Sequence, residues 1–183
     1  MNKFFKNKNS KGITLVEAIG VIILGLVLIS IALTQYFSAR EKTRVSSATS
    51  NMSSIFTNVT DFYDGADTSS LDNQLAVEAG LVPKGMRVDT GNAIKNSWIG
   101  DVTISDYTAG GGQGFSVETA GVTSRDICIS VLRSQENVGW DSFESSVASG
   151  TLVDFVDAAT DPTEYNTACN TDAKVDLTFY FNG

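Results

Sequence analysis

The sequence predicts an α+β fold: a long N-terminal α-helix, apolar in its first half and amphipathic in its second, packed against an antiparallel β-sheet. Three observations predict it. Residues 18–33 read AIGVIILGLVLISIAL, sixteen residues without a charge. Beyond them apolar residues recur at Val45, Ala48, Met52, Ile55, Phe56, Val59, Phe62 and Tyr63, the steps of three and four that mark one helix face. After residue 100 come several strand-like runs with a single helical pattern inserted, the order of an α+β unit with its sheet wrapped on the amphipathic half of the helix.

The helix is expected over about 13–64. No Pro or Gly interrupts the chain between Gly25 and Gly65. At the standard rise it is roughly 78 Å long, and Gly65 is a suitable C′ residue to end it. Adding Ile13–Val16 to the uncharged run gives about 20 apolar residues, or ~30 Å, the thickness of a bilayer's hydrocarbon core. Glu17 interrupts this segment, at a cost of about 2.5–3.5 kcal/mol near the centre of a membrane helix and less near its end. Arg40, Glu41, Lys42 and Arg44 stand where such a helix leaves the membrane. Residues 1–12 hold Lys3, Lys6, Lys8 and Lys11 and no acid, which keeps the N-terminus cytoplasmic and sends the remainder outward. Three readings of this N-terminus compete: a secretory signal with a small-x-small site at Ser30-Ile31-Ala32, a permanent anchor, and a class III signal cut before the apolar segment. A cut at Ala32 would split the continuous helix.

The remainder, 65–183, reads as a globular α+β head. Residues 66–97 form an irregular connector with one short helix, capped by Ser69 or Ser70, lined by Leu71, Leu75 and Ala79 and stopped by Gly80. Asp101–Ser105 and Gly114–Thr119 alternate as strands, joined through a turn over 109–114. That turn lacks the Lys-Ser/Thr and following helix of a phosphate loop. Ser124 caps a second helix with Ile127, Cys128, Val131 and Leu132 on its inner face. Thr151–Val156 and Val175–Phe181 read as strands.

The formal charge is −8 over 183 residues. Without residues 1–12 the 13 bases fall to 9 against 21 acids, a net charge of −12. An acidic body has no phosphate-binding stripe, so nucleic acid is not an expected partner; it suits an exported surface. Cys128 and Cys169 are the two cysteines. In an exported chain such a pair favours a disulfide, two free buried thiols being the alternative, and closing the loop contributes roughly 4 kcal/mol. With no histidine, Ser-His-Asp and Cys-His chemistry are excluded and an ordinary zinc site would need carboxylates. Asp61, Asp64 and Asp67 lack the glycine and glutamate positions of a calcium loop. No catalytic residue, metal or cofactor is expected. Trp98 and Trp140 mark either core packing or a sugar or partner site.

Gly12-Ile13-Thr14-Leu15-Val16-Glu17 resembles the prepilin cleavage motif of type IV pilins. The resemblance implies cleavage by a dedicated peptidase between Gly12 and Ile13, N-methylation of Ile13, and a mature chain of 171 residues, the 183 less 12. It makes 1–12 a leader, 13–33 the membrane and filament-core part of the helix, and Glu17 the fifth mature residue. In a filament core, Glu17 pairs with the Ile13 amine of a neighbour, a device suited to fixing register more than to adding stability. Gly80–Met86, Asn96–Gly100 and the Cys128-to-Cys169 region closed by a terminal strand resemble the type IVb branch, which includes toxin-coregulated, bundle-forming and conjugative thin-pilus subunits. The leader is short for that branch, and many of its members begin the mature chain with a residue other than isoleucine. Thr34 stands where many pilins of the other branch have a kinking proline, so any unwinding in a filament falls to Gly20 or Gly25.

The implied protein is a major pilin: a homo-oligomer forming a helical filament, served by the prepilin peptidase and inner-membrane assembly machinery. It moves from the inner membrane of a Gram-negative bacterium to an extracellular pilus for adhesion, aggregation or conjugative contact. A minor pilin or type II secretion pseudopilin is the alternative. A conventionally secreted binding protein stands further off.

Overall fold

The computed structural model describes residues 14–108 and 114–183. The leader, Gly12, Ile13 and most of the expected 109–114 turn lie outside the described residues. Helix α1 runs Leu15–Tyr63, and the chain divides within it into two compact units that meet between Glu41 and Lys42.

The first unit is the N-terminal part of α1. Its large apolar side chains face outward on every side: Leu15, Val16, Val21, Leu24, Leu28 and Ile31 are all exposed. Two of its hydroxyl residues are satisfied locally. The Ser30 hydroxyl donates to the Leu26 carbonyl (2.9 Å) and Thr34 to the Ser30 carbonyl (3.0 Å). Neither therefore presents an unpaired donor to an apolar surrounding.

The second unit begins with the amphipathic half of α1. Ala48, Met52, Ile55 and Val59 are its buried stripe. Asp64 and Gly65 take positive φ (41° and 79°) and end the helix where the glycine predicted. The connector carries α2 (Asn73–Glu78). Its cap is Asp72, whose carboxylate accepts from the Leu75 N–H, rather than Ser69 or Ser70, and its buried residue is Ala76. Asp67 takes the Ser69 N–H instead, forming a local turn that precedes the helix.

Seven described strands form one antiparallel sheet: β1 (Arg87–Asp89), β2 (Ala93–Lys95), β3 (Asp101–Tyr107), β4 (Gly114–Val122), β5 (Ser142–Ser145), β6 (Val153–Asp154) and β7 (Val175–Phe181). Their order is β1-β2-β3-β4-β7-β5-β6. Strands β3 and β4 are a hairpin in continuous register from Val102↔Thr119 to Tyr107↔Gly114. Strand β7 enters between β4 and β5, so the last strand in sequence joins the two parts of the sheet. Alternation puts Val102 and Ile104 of β3, and Val175, Leu177 and Phe179 of β7, on the buried face. An irregularity between Thr119 and Val122 is held by the Asp176 carboxylate, which accepts from the Gly121 N–H (2.7 Å).

The amphipathic half of α1 meets this sheet through Phe56, whose ring packs on Trp140 (4.8 Å between centroids), Phe181 (5.3 Å) and Phe115 (5.9 Å). A Cβ at Gly139 would come within 2.7 Å of the Phe56 ring, and its φ is +122°, so glycine is needed there. Gln135, fully buried on α3 (Arg125–Gln135), donates to the Thr49 carbonyl (3.2 Å) and accepts from the Trp140 indole (3.1 Å). Both tryptophans are buried, so core packing accounts for them.

Ser124 caps α3 as expected, its hydroxyl accepting from Ile127 N–H. The expected strand over 151–156 is strand only at Val153–Asp154. The Asp154 carboxylate accepts from the Val156 N–H (2.7 Å) and starts α4 (Phe155–Thr160), leaving Val156 exposed. A side-chain cap here wins over apolar alternation. Helix α5 (Thr163–Ala168) follows.

Candidate assembly site

Glu17 sits in the first turn of α1, on the third residue after Thr14. The Thr14 backbone N–H and hydroxyl both donate to Glu17 Oε2 at 2.9 Å, and the Glu17 N–H donates back to the Thr14 hydroxyl at 3.3 Å. This is a capping box, in which the two ends of a Thr-x-x-Glu unit satisfy each other's backbone donors. The carboxylate that looks out of place in an apolar helix is thus also the group that starts it. Oε2 is engaged within the chain, and no hydrogen bond from a described residue is made to Oε1. Thr14 is not among the residues the sequence reading singles out, although Thr14-Leu15-Val16-Glu17 carries the capping-box pattern.

Beyond this cap α1 is long and apolar enough to cross a membrane, and none of its most apolar window is buried within the chain. Two occupants can cover such a surface, lipid or other apolar helices.

The head is closed by the Cys128–Cys169 disulfide, Cα to Cα 5.8 Å. It joins α3 to the C-terminal end of α5, and both cysteines are fully buried. The bond thereby encloses β5, β6 and α4, elements too short to hold themselves.

A second constellation was visible in the sequence only as a stretch of likeness. The Asn96 side chain makes four hydrogen bonds. Its Oδ1 accepts from the Trp98 and Gly100 N–H groups (2.9 Å each), and its Nδ2 donates to the Thr119 hydroxyl (2.9 Å) and the Ala120 carbonyl (2.7 Å). The backbone closes the same loop, with Asn96 N–H on the Gly100 carbonyl and Ile99 N–H on the Asn96 carbonyl. Gly100 has no room for a side chain, since a Cβ would stand 1.9 Å from the Ala120 carbonyl oxygen. Within this frame Ile99 has φ of 67° and is 69% exposed. A β-branched residue held there is strained by on the order of 1–3 kcal/mol.

Among the described residues no group of His, Cys, Asp and Glu could hold a metal ion. The outer face of β4, β7 and β5 carries Glu118, Glu144 and Asp176 beside Tyr180. The Tyr180 hydroxyl donates to Glu144 Oε2 (3.0 Å). Its pKa is pushed up to about 12, by burial first and then by Glu144. Tyr165 is likewise raised to about 12, by burial first.

Comparison with known proteins settles the family. A family model described as PilS N terminal matches residues 42–180. The chain belongs to the PilS family. Its fold is that of the type IVb pilins. A type IVb pilin from Salmonella typhi matches with a TM-score of 0.53 and 23% identity, over 75% of this chain and 99% of that one. TcpA, a type IV pilin from the El Tor biotype of Vibrio cholerae, matches with a TM-score of 0.52 and 15% identity, over 76% and 99%. No curated protein matches. The long helix on an antiparallel sheet and the type IVb resemblance are thus both found in this PilS-family chain.

Proposed function

We propose that this chain is the major structural subunit of a type IVb pilus and not an enzyme. One observation carries the reading: a pilin-fold head is joined to a helix whose apolar half is left uncovered by the described residues. Before assembly lipid covers that half. In the filament other copies do, at about 25 cal/mol per Å² of apolar area removed from water. Cleavage between Gly12 and Ile13 and N-methylation of Ile13 precede assembly, which then carries the subunit from the inner membrane to the extracellular pilus. Prepilin peptidase and the inner-membrane assembly machinery are its partners on that path. The filament serves adhesion, aggregation or conjugative contact.

The capping box refines the part assigned to Glu17. Within the membrane the Thr14 donors meet one carboxylate oxygen, which lessens its desolvation. On assembly the carboxylate takes the Ile13 amine of a neighbour and fixes the register. Glu17→Gln keeps an acceptor for the cap and removes the charge, whereas Thr14→Ala does the reverse. Sheared-filament yield should fall sharply in Glu17→Gln, with processing intact. Normal piliation in that variant would count against the charge pairing. Mass spectrometry of the mature chain tests the processing: a start at N-methyl-Ile13 is expected, and a start at Leu33 would sink the pilin assignment. High abundance in sheared filaments separates a major subunit from a minor pilin or pseudopilin.

A further inference from the structure

Two features of the head remain unused by this reading. The first is Ile99. Asparagine or glycine would tolerate its backbone better, and the Asn96 hydrogen bonds prevent the loop from relaxing. An aliphatic side chain is therefore held mostly in solvent, with 69% of its surface left exposed by its own chain. Strain maintained in a loop tied down by the Asn96 hydrogen bonds points to a use for the side chain.

The second is a cavity of about 200 Å³ at the C-terminal end of α1. Val59, Tyr63, Ala66, Phe115 and Phe181 give it a mainly apolar lining, with Thr60, Asp64 and Gly183 also on its wall. The polar group of Thr68 is already spent on the Gly114 carbonyl (2.6 Å). The Tyr63 hydroxyl is buried without a hydrogen-bond partner among the described residues. Such a lining offers water few partners and suits a branched aliphatic side chain.

These features lie at opposite ends of one strand. β3 starts at Asp101, two residues after Ile99, and ends at Tyr107, which pairs with Gly114 beside Phe115. Its seven residues span roughly 20–24 Å. Ile99 therefore cannot enter the cavity of its own chain, but it can enter that of another. We propose that Ile99 of one copy docks into the Tyr63–Phe115–Phe181 cavity of a second copy, forming a repeated head-to-tail contact between heads. A knob and a hole at different places make a heterologous interface, which generates an open helical polymer wherever its rotation does not close into a ring. The contact rests on the pilus-subunit reading and adds to it a specific contact between heads.

The test uses the full-length chain. Ile99→Asn relieves the strained φ, so the melting temperature of the purified subunit should rise by about 2–4 °C. Sheared-filament yield should fall roughly tenfold or more, since each contact loses the burial of one isoleucine. Ala66→Leu, which fills the cavity, should lower yield without lowering the melting temperature. In intact filaments Ile99→Cys combined with Thr60→Cys should give, on mild oxidation, a ladder of cross-linked multimers. Unchanged yield in Ile99→Asn, a melting temperature that drops together with yield, or cross-linking that is absent or stops at dimers each overturns the contact. A wild-type chain that forms no filaments overturns the subunit reading and the contact with it. Wild-type filaments with an indifferent Ile99 overturn the contact alone.

Discussion

The two halves of α1 share one backbone conformation and differ in almost everything else. Val27 and Leu28 in the first half are 51% and 67% exposed, whereas Ile55 and Val59 in the second are fully buried. The second half has one apolar stripe and is matched by a sheet, so its burial is completed within the chain. The first half is apolar on all sides, and its large apolar side chains are exposed among the described residues. A helix that is apolar all round belongs in lipid or inside a bundle. One continuous element thus carries two surface patterns, and substitutions in its two halves should register in different measurements.

The largest effects belong to the head. Phe179→Ala removes a fully buried ring and should lower head stability by about 3–5 kcal/mol in denaturant unfolding. Membrane partitioning of the first half should not change, and a simultaneous loss of membrane association would break the separation of the two regions. Replacing Cys128 and Cys169 together by serine should cost about 4 kcal/mol by loop closure, over a sequence separation of 41. The opposite experiment is Leu24→Arg. It should cost about 2.5–3.5 kcal/mol in membrane insertion, read by fractionation, with the head's melting temperature unaltered. Thr14→Ala should weaken the start of α1 by about 1 kcal/mol, visible as faster amide exchange in its first turn and nowhere in the head.

The smallest effect sharpens the contrast by pH. Tyr180 and Tyr165 have folded-state pKa values raised to about 12 from 10.0. The folded head therefore holds protons that the unfolded chain releases above pH 10. This contribution is fully present below pH 10 and is lost as pH rises towards 12. Tyr180→Phe should flatten the fall in head stability across that window, and an unchanged slope would show that Tyr180 has no part in it.

Legibility in the sequence followed the range of the interactions. Helix α1, strands β3, β4 and β7 and the Ser124 cap are written in local periodicity and single side-chain caps, and they were read correctly. The cap of α2 was displaced from Ser69 or Ser70 to Asp72 because several adjacent polar residues compete for the same N–H groups. Residues 151–156 looked like a strand because Leu152, Val153, Phe155 and Val156 are apolar, yet one carboxylate at Asp154 converts most of the stretch to helix. Strands β1, β2 and β5 are too short to show a period. The capping box is legible in Thr14-Leu15-Val16-Glu17, but the same carboxylate also carries the charge that is costly in an apolar segment, and the sequence alone does not say which of the two parts it plays.

Sequence by itself determined the helix apolar all round, its amphipathic continuation, the stop at Gly65 and the pair of cysteines. Each depends on residues within a few positions of one another or on composition, which is why it survives without a structure. Only the tertiary structure decided that β7 closes the sheet between β4 and β5. It alone showed that Asn96 locks a strained Ile99 through Thr119 and Ala120, and that Tyr63 and Phe181 share a cavity at the end of α1. Those partners are tens of residues apart in sequence. Which of them meet is set by sheet register and side-chain volume, and neither quantity exists until the chain has folded.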